Sequence, residues 1–187
     1  MSDYISDEEQ MNRFSEWWNE HGTSLLIAVG LAIASIVGWN FYSDNRQQNI
    51  EASTALYAEY VDAAAEAKAA IAQRIKAEFP GTSVHSLVAL DEAKKAADDE
   101  NLDAAIQALV EARDAAPDAL LAELAMIRLA KVQYAQGNAA KALQTLQGIR
   151  NLGYQSWALE LTGDIYLAEG NTEQAFAAYT SALDSLK

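Results

Sequence analysis

From Gly22 to Ser43 the chain carries no charged residue. The run TSLLIAVGLAIASIVGWNFY, Thr23 to Tyr42, is 20 residues long. That is the length at which an apolar helix crosses roughly 30 Å of hydrocarbon with its backbone hydrogen bonds satisfied internally. A cleaved secretory signal would have a shorter apolar core behind a basic segment. Here the leader MSDYISDEEQMNRFSEWWNEHG is acidic. The core helix of a soluble domain would carry a polar face, and this run has none. The expectation is a single transmembrane helix at 23–42 behind a short leader at 1–22.

Trp17, Trp18, Trp39, Phe41 and Tyr42 flank the two ends of the run, where rings with an apolar body and a polar tip prefer the boundary between lipid and water. Gly30, Ala34 and Gly38 recur every four residues, so they share one helix face along which a partner helix can approach closely. They are the candidate helix-packing face, although small residues are also common in spans at large. Orientation is not legible from charge. Arg13 precedes the span and Arg46 follows it, and acidic residues contribute little to the bias that keeps basic loops cytoplasmic.

Composition narrows the remainder of the 187 residues. There is no cysteine, so disulfides, thiolate metal sites and thiol nucleophiles are excluded. Thirteen basic residues against 27 acidic ones give a net charge of -14. Nucleic acid is therefore not an expected partner, since that binding draws on phosphate neutralisation. Half the residues are apolar and alanine is abundant, which favours helix over disorder.

Behind the span, apolar positions fall at helical spacing, and the pattern repeats. Gly170-Asn171, Gly137-Asn138 and Glu100-Asn101 each separate two apolar segments. In the last unit Gly163 is followed by Tyr166, Ala175, Tyr179 and Ala182. That is tetratricopeptide spacing, in which a small residue and alanines let two antiparallel helices cross closely while aromatics fill the gaps. The middle unit places Ala130, Ala142 and Leu146 in the matching slots, and an earlier one supplies Ala93, Ala105, Leu109 and Ala112 before Pro117. Three units suffice for a stack. The expected fold is all-α: one N-terminal transmembrane helix, then linking and capping helices over 43–85, then an α-solenoid of tetratricopeptide-like hairpins over 86–187.

The first helix of each pair in such a stack lines a concave groove. Projecting the register places Leu87, Leu90, Leu124, Ile127, Tyr134, Trp157 and Leu167 there, interspersed with Lys94, Lys131, Glu160 and Asp164. The mixture suits an extended or helical polypeptide. The same side chains become core if an adjacent repeat, or the helix near 50–75, covers them. Catalysis finds no support. His21 lies beside the span and His85 in a connector between helices, and neither belongs to a nucleophile-and-base spacing. Asp91-Glu92 and Asp98-Asp99-Glu100 lack the glycine-centred loop of a calcium site and read as solvated charge. No phosphate-binding glycine loop occurs, and no cofactor is expected.

The chain resembles YfgM-type proteins, ancillary subunits of the bacterial Sec translocon. The likeness rests on Glu20-His21-Gly22 before the span, Gly38-Trp39 at its far end, and Ala52-Ser53 followed by Tyr57. It continues through Leu129-Ala130-Lys131-Val132-Gln133, Ala142-Leu143-Gln144-Thr145-Leu146 and the unit from Gly163 to Ala182. Family members often extend past the last repeat, whereas this chain stops at Ser185-Leu186-Lys187. The resemblance implies an inner-membrane protein with a cytoplasmic leader and a periplasmic repeat domain. It implies as partners the SecYEG translocon, a membrane-anchored periplasmic chaperone of the PpiD type, translocating polypeptides and membrane lipid. Its role is then to link translocated polypeptides to chaperones at the channel exit. The alternative is an envelope scaffold or regulatory adaptor built on the same repeats.

Overall fold

The computed structural model describes residues 7–186, and all regular structure among them is helical. In chain order the helices are α1 (Asp7–Asp62), α2 (Ala65–Glu78), α3 (Ser83–Asp98), α4 (Leu102–Ala115), α5 (Ala119–Ala135), α6 (Ala139–Gln147), α7 (Leu152–Ala168) and α8 (Thr172–Asp184). The chain divides after Glu51 into two units.

The first unit is helical throughout its described residues. Its apolar stretch reaches a mean hydropathy of 1.9 with none of that stretch buried, which makes α1 the one helix among the described residues long and apolar enough to cross a membrane. A core helix in a soluble protein would hide such a surface; here Leu26, Leu31, Ile33, Ile36 and Val37 all stand exposed. Ser35 donates its hydroxyl to the Leu31 carbonyl at 2.7 Å, so the one hydroxyl in the middle of the run is satisfied within the helix.

The second unit begins with the last turns of α1. Leu56 and Tyr60 pack with Ile71, Ala72 and Ile75 of α2 on Val84 and Val88 of α3. The alanine-rich sequence gives no hint of the break between α1 and α2, where Ala64 is extended. Three helical pairs follow, α3–α4, α5–α6 and α7–α8, and the slots read from the repeat hold. Ala93, Ala105, Leu109, Ala112, Ala130, Ala142, Leu146, Ala175 and Ala182 are all buried.

The same turn closes all three pairs. Asn101, Asn138 and Asn171 donate their backbone N–H groups to the carbonyls of Ala96, Gln133 and Tyr166, while Glu100, Gly137 and Gly170 donate to Ala97, Tyr134 and Leu167. These are the paired bonds that end a helix on a left-handed residue. Gly137 and Gly170 have φ of 85° and 81°, and Glu100 takes the same role at 58° without a glycine's freedom. Asn101 then caps α4, its side chain accepting from the Ala104 N–H.

A candidate peptide groove on the first helices of the repeats

The expected groove residues lie on α3, α5 and α7, but the structure treats them unequally. Leu90 and Lys94 of α3 and Lys131 of α5 come together with Ala93, Ala97, Leu109, Arg128 and Val132 around a cavity of about 500 Å³. Leu87 and Leu124 are half-buried against the core below it. Ile127 is a correction: it is fully buried among Ala130, Leu146, Leu161 and Ile165 and offers nothing to a partner. Its neighbour Arg128 is exposed instead, four residues after Leu124 and three before Lys131, hence on their face.

Along α7 the groove is more open. Trp157 keeps 37% of its surface exposed, with the Lys131 ammonium 5.0 Å above its ring, within cation–π range. Tyr134 is half-buried against the α5–α6–α7 core. Glu160 and Asp164 are exposed, and the Tyr179 hydroxyl donates to Asp164 at 2.7 Å, so this carboxylate is engaged by α8. That bond, reinforced by slight burial and the nearby carboxylates, raises the Tyr179 phenol above its ordinary value. Leu167 is exposed at the end of α7, beside an uncovered α8 that presents Phe176 and Leu183.

Two polar clusters that sequence reading missed hold this scaffold. Glu123 of α5 is buried, and its two oxygens accept the backbone N–H groups of Arg150 and Asn151 at 3.0 and 2.9 Å. It thereby fixes the chain as it enters α7. The second cluster ties α2 to α3 and α4. The Lys76 ammonium lies 2.6 Å from Glu92 and 2.8 Å from Glu111, and His85 Nε2 lies 3.0 Å from Glu111. His85 is therefore a second correction, since it occupies the first turn of α3 rather than a connector. Burial works against the Lys76 charge, but its bonds to Glu111 and Glu92 outweigh that and lift its pKa. Burial likewise pushes Glu111 up, yet Lys76 and His85 hold it below the usual glutamate range. No periodicity announces these groups, because each serves a contact between helices distant in sequence. Among the described residues no group of three or more metal-binding side chains gathers.

Comparison with known proteins follows this architecture. An ancillary SecYEG translocon subunit of Haemophilus influenzae is 28% identical over 97% of this chain and 90% of its own. The subunit of that name from Aggregatibacter actinomycetemcomitans is 29% identical over the same shares. The one from Escherichia coli is 25% identical over 99% of this chain and 91% of its own. The resemblance read from the sequence is thus borne out. No solved structure matches the chain. The model of the tetratricopeptide repeat-like domain family matches residues 15–187, taking in the apolar stretch of α1 and all three helical pairs, and the chain belongs to that family.

Proposed function

We propose that this protein is an ancillary subunit of the Sec translocon, anchored in the membrane by α1, that works through protein contacts and makes or breaks no bond. One observation carries the reading: three relatives bearing that name align with the chain from leader to last repeat. The repeats face the periplasm, with the leader cytoplasmic. There they link emerging polypeptides to a membrane-anchored chaperone of the PpiD type. Tethering supplies the mechanism, because a groove confined to the channel mouth meets emerging chains at high effective concentration and weak contacts then suffice. The face of Gly30, Ala34 and Gly38 docks on a partner helix. In support, the three small residues recur every four positions and so share one face of the helix.

Purification of the full chain from inner membranes in mild detergent tests the proposal. SecY, SecE and SecG should copurify, together with a periplasmic chaperone. Recovery of other envelope proteins without Sec subunits overturns it in favour of a scaffold. Protease added outside spheroplasts should digest the repeats, and their survival overturns the topology.

A further inference from the structure

The cavity between α3, α4 and α5 is lined by three basic side chains and by no carboxylate. Its floor is Leu90, Ala93, Ala97, Leu109 and Val132, and its charged lining residues are Lys94, Arg128 and Lys131. Among the described residues none of these three cations has an ion pair with a carboxylate. Only 13 basic residues stand against 27 acidic ones in the chain, so gathering three around one apolar hollow creates a positive site on a negative molecule. The adjoining cavity beside α1, α2 and α3 differs in being lined by both signs, Lys68 and Lys95 with Asp91 and Glu92. There Tyr60 donates to Asp91, Glu92 holds Lys76, and Lys68 lies over the Tyr60 ring.

We propose that the cavity between α3, α4 and α5 is a subsite for an acidic peptide segment, taking an apolar side chain onto its floor and adjacent carboxylates onto Lys94, Arg128 and Lys131. The inference rests on the groove of the proposed function and names the chemistry it selects. A cavity of about 500 Å³ falls within the roughly 300–1,000 Å³ range of small binding sites. It therefore holds an anchoring side chain or two while the backbone passes across the mouth. Charge complementarity chooses the occupant. A basic segment would be drawn elsewhere on this acidic molecule, whereas an acidic one is favoured where three cations gather without a carboxylate among them. The Trp157 ring holds Lys131 at 5.0 Å, which limits the ordering this cation must undergo on binding. Farther along the groove Glu160 and Asp164 of α7 are exposed, so an acidic segment is confined to the α3–α5 end.

The test uses the full chain in detergent and a fluorescein-labelled peptide with two leucines flanked by aspartate and glutamate, followed by anisotropy. Exchanging its acids for asparagine and glutamine, or its leucines for serine, should weaken binding at least tenfold. A combined K94E, R128E, K131E variant should lose at least as much. These side chains sit at the mouth rather than in the core, and an unchanged circular dichroism melt checks that the fold survives. With the unaltered protein, raising salt from about 0.1 to about 1 M should weaken binding several-fold, because the Debye length falls from about 10 to about 3 Å. If the neutral peptide binds as tightly as the acidic one, this inference fails while the groove stands. If neither binds, the groove fails too. Displacement of the peptide by a short-chain phosphatidylglycerol, or binding that survives charge reversal, overturns the assignment to an acidic peptide.

Discussion

A Cβ built on Gly163 would fall 2.5 Å from Cε1 of the Tyr179 ring, so the crossing of α7 and α8 is closed down onto a glycine. The ring cannot simply swing aside, because its hydroxyl is held by Asp164 at 2.7 Å. Gly163→Ala should destabilise the unit by about 1–3 kcal/mol, the usual range for overpacking. With Tyr179→Ala the space opens, and the same substitution should then stabilise by up to about 1 kcal/mol through helix propensity. Urea unfolding of the four proteins in the cycle checks the change of sign.

Glu100 occupies the left-handed position that glycine fills in the two later turns. Glu100→Gly should raise stability by about 1 kcal/mol, relieving a conformation that costs other residues roughly 1–2 kcal/mol. Gly137→Ala and Gly170→Ala should lower it by a similar amount. Thermal melts of the three variants measure this, and a destabilised Glu100→Gly contradicts the turn's account.

The Glu111 carboxyl is held below its ordinary value because its bonds to Lys76 and His85 outweigh burial. Its share of stability is complete above the unfolded value of about 4.3 and drains away as pH falls through the lowered folded value. Lys76 is shifted upward, so its share is full below about 10.4 and is lost as pH rises through the raised folded value. Glu111→Gln should therefore be less stable than the parent at neutral pH, with the gap closing toward strong acid. Denaturant midpoints across the pH range record the convergence.

Glu123 is buried against two backbone N–H groups. Glu123→Ala strands both donors and should cost about 2–3 kcal/mol. Glu123→Gln keeps one acceptor oxygen and should cost less. Hydrogen exchange at Arg150 and Asn151 should rise in the alanine variant well before global unfolding does.

What the sequence made legible was whatever a repeat or a composition encodes. The uncharged run was visible because lipid demands an apolar surface on every side of a helix. The hairpins were visible because Ala130 and Ala142 recur as Gly163 and Ala175 at one fixed offset, and close helix crossings tolerate only small residues there. Of the residues projected onto the candidate groove, Leu90, Lys94 and Lys131 meet at one cavity, while Ile127 is buried and the exposed position is Arg128, one residue later. Periodicity alone could not separate them, since both lie within one turn of Leu124 and Lys131. Glu123 and the Lys76 cluster were invisible, because their partners lie far along the chain and follow no period.

The three matching turns close each hairpin locally, and each hairpin packs mainly on the ones beside it. A stack wired in this way need not melt as a single block. The α7–α8 hairpin, with Phe176 and Leu183 uncovered, has the least to lose on detaching. Loosening should thus travel from that end inward, giving amide protection that is graded along the stack rather than uniform.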